Sequence, residues 1–222
     1  MSLKKIGLFG GSFNPIHLGH LRAALEVRIA FDLDTVLMIP SARPPHKRGK
    51  SMAPGKDRLE MVRLATSTTP EIVASGMEFD RPGLSYTVET IERFQAKVDD
   101  AKVHLIIGLD AFREYETWHR HADLFRLAPI IVMLRPEIDV TDLHQAKNQM
   151  EKLLAKISDQ YRFDPLLLRF THPDLQPVYI LEVTRLAISA SHIRQLIKNN
   201  VSIRFLMPEQ VERYIEKQGL YK

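Results

Sequence analysis

Six short apolar runs, rich in β-branched residues, punctuate the chain at 6–9, 35–39, 72–74, 103–107, 130–134 and 178–183. Between most of them the apolar positions recur at helical spacing. Leu21, Ala24, Leu25 and Ile29 mark one face of a first helix, Leu59, Met61, Val62 and Leu64 a second, and Val88, Ile91 and Phe94 a third. Strands that are apolar throughout and alternate with helices belong in a mostly parallel sheet with helices on both faces. The expected class is therefore α/β and Rossmann-like. In such folds ligands sit beyond the carboxyl ends of the strands, where strand order reverses.

Two stretches depart from this rhythm. Residues 136–172 read as a helical insert: Thr141 and Asp142 can start a helix whose apolar face is Leu143, Ala146, Met150, Leu153 and Ile157. Near the end, "PEQVERYIEKQG" sets Pro208 early in a helix and Gly219 just past it, the usual asymmetry of helix starts and stops. There is no internal repeat. The 222 residues suffice for one domain, 1–222, carrying that insert.

Composition narrows the class. The 45% hydrophobic and 26% charged content is that of an ordinary globule. No run approaches a membrane span and no secretory leader opens the chain, so the expectation is no membrane partner. Without cysteine there is no disulfide framework and no thiolate zinc site, and a cytoplasmic address is the simplest reading. The 31 basic against 27 acidic residues give mild attraction to anions. The densest basic run, "RPPHKRGK", is short and isolated, so small phosphorylated ligands fit better than nucleic acid. Self-association into a homo-oligomer is left open.

The candidate chemistry begins at "GGSFNPIHLGH", residues 10–20, directly after the first apolar run. Gly10 and Gly11 permit backbone angles closed to other residues and let a ligand approach the main chain. Asn14 precedes proline and should be extended, and Pro15 fixes the chain before a helix. His17 and His20, three apart, share one face at the helix start, where free amides and the dipole favour an anion. Two imidazoles can then donate to phosphate oxygens. Neither a G-x-G-x-x-G fingerprint nor a Walker loop is present. Two histidines without a third ligand make a poor metal site.

A second anion site is suggested by "ISASHIRQLI", residues 188–197. Ser189 or Ser191 can cap a helix with Ile193, Leu196 and Ile197 facing inward. Arg194 then falls in the first turn, where a cation opposes the helix dipole unless an anion is bound.

"GLFGGSFNPIHLGH" resembles the signature of the HxGH nucleotidyltransferase superfamily, and "ISASHIR" resembles that superfamily's triphosphate-gripping motif, with Ser191 where threonine is usual and Asn14 where many members carry aspartate. Further matches, "IPSARPPHK", "SYTVETI", "IIGLDAF", "ETWHR" and "MLRP", make nearly the whole chain similar to the bacterial nicotinate-mononucleotide adenylyltransferase family. That resemblance implies a nucleotidyltransferase fold and adenylyl transfer from ATP to nicotinate mononucleotide, releasing pyrophosphate, with Mg²⁺ carried by ATP. It implies catalytic roles for His17, His20, Lys47 and Arg194, and ATP contacts at Gly10, Gly11, Ser12, Phe13, Gly19, Asp110, Ser189 and Ser191. The nicotinate mononucleotide would meet Thr87, Trp118 and Arg135. Taken singly these residues have plainer readings: Lys47 as a loop cation, Asp110 and Thr87 as helix caps, Trp118 as core. His119 and His121 read as ordinary surface or packing residues. The rival functions are transfer to nicotinamide mononucleotide or phosphopantetheine, and a non-catalytic nucleotide sensor.

Overall fold

The computed structural model describes residues 3–45, 52–98, 100–134 and 143–222. Its sheet runs in the order β3-β2-β1-β4-β5-β8-β7-β6. The strands are β1 (Lys4–Gly11), β2 (Thr35–Pro40), β3 (Ile72–Ala74), β4 (Ala101–Gly108), β5 (Ile130–Leu134), β6 (Arg162–Asp164), β7 (Arg169–Thr171) and β8 (Val178–Glu182). From β3 to β8 all neighbours are parallel, while β7 and β6 continue the sheet antiparallel. Every apolar run read from the sequence is a strand. The hairpin β6–β7 lies in the segment read as a helical insert. Its three-residue strands are too short to show a period.

The helices are α1 (Leu18–Ala30), α2 (Gly55–Thr66), α3 (Thr87–Gln95), α4 (Leu109–Arg113), α5 (His121–Leu127), α6 (Leu143–Leu154), α7 (Ala190–Lys198) and α8 (Glu209–Gln218). Two cores form, one per sheet face. On one face, Val88, Ile91 and Phe94 of α3 and Ala146, Met150 and Leu154 of α6 pack with Leu105, Val132 and Ile180. The described part of the segment 136–172 thus shares a core with the rest of the chain. On the other face, Met61 and Val62 of α2 and Val211 and Ile215 of α8 join Val36, Ile106 and Ile131.

Helix α1 keeps most of its expected face. Ala24 is buried and Leu21 and Leu25 pack against the core, but Ala23 and Val27 are buried as well and Ile29 is 63% exposed. The contact is therefore centred on 23, 24 and 27, rotated away from Ile29. Pro208 is the N-cap of α8 rather than a residue inside it, and Gly219 caps the other end in the left-handed conformation.

One buried polar residue makes the core pH-sensitive. His104 on β4 is buried near Phe31. Burial first, then the charge of Lys102, brings its pKa down from 6.5 to about 4. The folded state therefore binds this proton less readily than the unfolded chain. The associated stability is complete above pH 6.5 and is lost as pH falls toward 4. At about 1.4 kcal/mol per tenfold in proton affinity, the loss reaches about 3 kcal/mol. Urea unfolding between pH 7 and 4 should show this decline, and His104→Leu should remove it. An unchanged pH slope in that variant would refute the assignment.

Candidate active site

The strand order reverses between β1 and β4, and a cleft of about 240 Å³ opens beyond their carboxyl ends, with Gly10 and Gly11 on one side and Ile107 and Gly108 on the other. Leu8, Ile39, Ile91 and Leu105 contribute apolar wall, and Ser41, Ser85 and Thr87 supply hydroxyls. Trp118 and His119 close the side nearest α5, where the His119 ring lies 4.4 Å from the Tyr86 ring. An apolar pocket with flat aromatic walls and a few hydroxyls suits a planar heteroaromatic ring carrying polar substituents. His119, read from sequence as a surface or packing residue, is exposed but belongs to this wall. His121 instead packs edge-on against Tyr115.

Beside the cleft, the 10–20 turn is organised around aromatic rings. Phe13 is buried with φ 42, a left-handed angle uncommon for a residue with a Cβ. Its ring stands edge-on to Phe9 at 5.7 Å and to His20 at 5.1 Å. The His17 and His20 rings lie 3.7 Å apart, and His20 Nδ1 accepts the His17 backbone N–H at 3.3 Å. That bond places the neutral ring's hydrogen on Nε2, leaving it as a donor.

The glycines match half of the expectation. Gly10 and Gly11 end β1 and neither has a positive φ, so no special backbone angle is used, but both line the cleft with their main chain. A Cβ on Gly11 would press on the Phe13 ring at 3.0 Å, and Gly10 faces open space at the cleft. Gly19 lets the His17 ring fold over it: a Cβ would meet that ring at 3.1 Å and the Ile188 carbonyl at 3.8 Å. The loop entering α7 therefore lies against the first turn of α1.

At α7, Ser189 is the N-cap and accepts the His192 N–H at 3.2 Å. Arg194 donates to the Asn14 carbonyl at 2.7 Å and to Ser191 Oγ at 3.3 Å. The first and last strand–helix junctions thus meet, with the guanidinium bridging residues 180 apart. Thr87 is the first residue of α3 and faces the cleft, where Tyr86 rather than Thr87 is the N-cap. Asp110 stands exposed in the first turn of α4, just past β4. Lys47 and Arg135 lie outside the described residues.

Three supporting residues escaped the sequence reading. Arg58 is 1% exposed and donates to the carbonyls of Ser12 (2.8 Å), Ala53 (3.1 Å) and Ala42 (3.5 Å). Burial pulls its pKa below the usual arginine range. Glu78, also buried, accepts from Ala42 N at 3.2 Å and from Thr90 Oγ1 at 2.8 Å. The Ala42 peptide is therefore held between a guanidinium and a carboxylate. Tyr221 donates to Asn14 Oδ1 at 2.8 Å. A signal for Arg58 existed: it sits on the buried stripe 58, 61, 62, 65 of α2. Glu78 and Tyr221 carried none.

Two helix starts that meet beside an aromatic cleft, at the point where strand order reverses, are the arrangement of a nucleotidyltransferase. The cytidylyltransferase-like family model matches residues 8–196, and the chain belongs to that family. A relative from Desulfatibacillum aliphaticivorans, described as a probable nicotinate-nucleotide adenylyltransferase, is 41% identical and covers 98% of this chain and 99% of its own. One of the same description from Geobacter sulfurreducens is 40% identical over 98% of each chain. The Plasmodium falciparum nicotinic acid mononucleotide adenylyltransferase complexed with NaAD superposes with a TM-score of 0.72, over 98% of this chain and 97% of that one, at 16% identity. Within its family the chain falls among the nicotinate-nucleotide adenylyltransferases, enzymes of adenylyl transfer in NAD biosynthesis.

Proposed function

We propose that the cleft seats nicotinate mononucleotide and that the junction beside it grips the polyphosphate of ATP. The acceptor's phosphate oxygen attacks the α-phosphorus in line, and the bond to pyrophosphate breaks. The nucleophile is already an anion, so no general base is required. Catalysis is positioning plus stabilisation of charge moving onto the leaving group. His17 and His20 donate to that charge, with Arg194 and Lys47 assisting. Gly10, Gly11, Ser12, Gly19, Asp110, Ser189 and Ser191 seat ATP, with Phe13 holding the turn from below. Trp118 stacks on the pyridine ring, Thr87 opens the site for its carboxylate, and Arg135 meets the acceptor phosphate.

Mg²⁺ enters with ATP and supplies charge neutralisation to the phosphates. Among the described residues no cluster of His, Asp or Glu could hold a metal. No described helix is long and apolar enough to cross a membrane.

The observation that carries this reading is the Arg194–Asn14 bond, which joins the turn after β1 to the start of α7. The test is pyrophosphate release with ATP, Mg²⁺ and, in parallel, nicotinate mononucleotide, nicotinamide mononucleotide or phosphopantetheine. Preference for the neutral amide, or for phosphopantetheine, would overturn the acceptor assignment. Trp118→Ala should raise the KM for nicotinate mononucleotide about tenfold, the worth of one aromatic stacking contact, with a smaller change in turnover. An unchanged KM would remove the stacking role.

A further inference from the structure

Beyond α8 the chain contributes a group that none of the motifs contains. Gly219 has φ 62 and Tyr221, two residues on, has φ 66. The second angle is uncommon for a residue with a Cβ and persists where surroundings hold it. Here the hold is visible. The Tyr221 hydroxyl donates to Asn14 Oδ1 at 2.8 Å, and the same oxygen accepts Ala53 N–H at 2.9 Å. A side-chain carbonyl has two lone pairs, so these two donors saturate it. The backbone carbonyl of the same residue takes Arg194 at 2.7 Å. Asn14 is buried at 5% exposure. It is thus fixed from its side chain by Tyr221 and in turn fixes Arg194 through its main chain. Burial keeps the Tyr221 hydroxyl protonated, against the pull of the Arg194 and Arg58 charges, so it remains a donor.

We propose that Tyr221 is a positioning residue of the polyphosphate site, acting through Asn14 to set the 10–20 turn and the guanidinium of Arg194. This rests on the reading of Arg194 and the paired imidazoles as the ATP grip. It separates two kinds of support. The acceptor cleft is held by Glu78 and Thr90, and the nucleotide side by a residue 207 positions from the turn it holds.

The test uses the full chain with Tyr221→Phe, which removes only the hydroxyl. With pyrophosphate release as the readout, the KM for ATP should rise about fivefold, the worth of one lost hydrogen bond, while the KM for nicotinate mononucleotide stays within about twofold. Asn14→Ala should reproduce the ATP effect, and adding Tyr221→Phe to it should change nothing further. An unchanged KM for ATP, additive effects in the double variant, or equal rises in both KM values would each overturn the proposal. Thermal denaturation with Mg-ATP alone gives a second reading: the ATP-induced rise in melting temperature should be smaller in Tyr221→Phe than in the unaltered chain. Failure of the unaltered chain to release pyrophosphate would defeat the acceptor assignment instead, leaving the denaturation comparison to decide on Tyr221.

Discussion

Replacing His20 with alanine should lower turnover about a hundredfold, equivalent to about 3 kcal/mol of transition-state stabilisation from one preorganised donor. The expected size follows from how firmly the ring is held. It stacks on His17 at 3.7 Å, meets the edge of Phe13 at 5.1 Å, and accepts the His17 N–H on Nδ1. A ring so confined has its Nε2–H directed before substrate arrives, and no reorganisation is needed as charge develops on the leaving pyrophosphate. The loss should fall on turnover more than on the KM for ATP, since the interaction strengthens in the transition state. The fold should survive, because His20 is only partly buried. Steady-state rates with saturating substrates decide the matter: turnover within about threefold of the unaltered enzyme would exclude His20 from the chemistry.

Arg58→Met should destabilise the fold by about 3 kcal/mol, a loss typical of leaving a buried charge and its hydrogen-bond acceptors without their cation. The guanidinium satisfies the carbonyls of Ser12, Ala53 and Ala42, and methionine can satisfy none. Glu78, across the Ala42 peptide, would remain buried without its neighbouring positive charge. Arg58→Lys should fall between the two, since it keeps the charge but not the fork. The combination Arg58→Met with Glu78→Gln should cost less than the sum of the single changes. Urea denaturation measures all three. A loss under about 1 kcal/mol for Arg58→Met would mean that water or repacking replaces the cation readily.

The sequence revealed the parallel strands because the central ones are buried on both faces and read as apolar runs, unbroken in "IIVML" of β5 and interrupted only by His104 in "VHLII" of β4. It revealed the two candidate junctions because their chemistry is local: glycine and imidazole lie within one turn of the start of α1, and hydroxyl, imidazole and guanidinium within one turn or so of the start of α7. The hairpin β6–β7 was hidden by its length. The packing face of α1 was legible in part, through Leu21, Ala24 and Leu25, while Ala23 and Val27 escaped notice and Ile29 lies outside. The supporting residues were hidden for a different reason. Glu78 meets Ala42 across 36 positions and Tyr221 meets Asn14 across 207, so each role exists only after the chain has folded. The expectation of special backbone angles at Gly10 and Gly11 was wrong: both keep ordinary strand geometry, and Gly11 leaves room beside the Phe13 ring by absence of a side chain.

The joining of Asn14 to Arg194 also bears on how the polypeptide is made. A chain synthesised only as far as β5 already carries both imidazoles but not yet Arg194. On the proposed reading of Arg194 as part of the ATP grip, nucleotide would bind finished molecules in preference to nascent ones, and at a hundredfold excess over its dissociation constant would add about 2.7 kcal/mol to their stability. The substrate would then serve as an assembly check, rewarding the molecule only when the turn after β1 and the start of α7 have met.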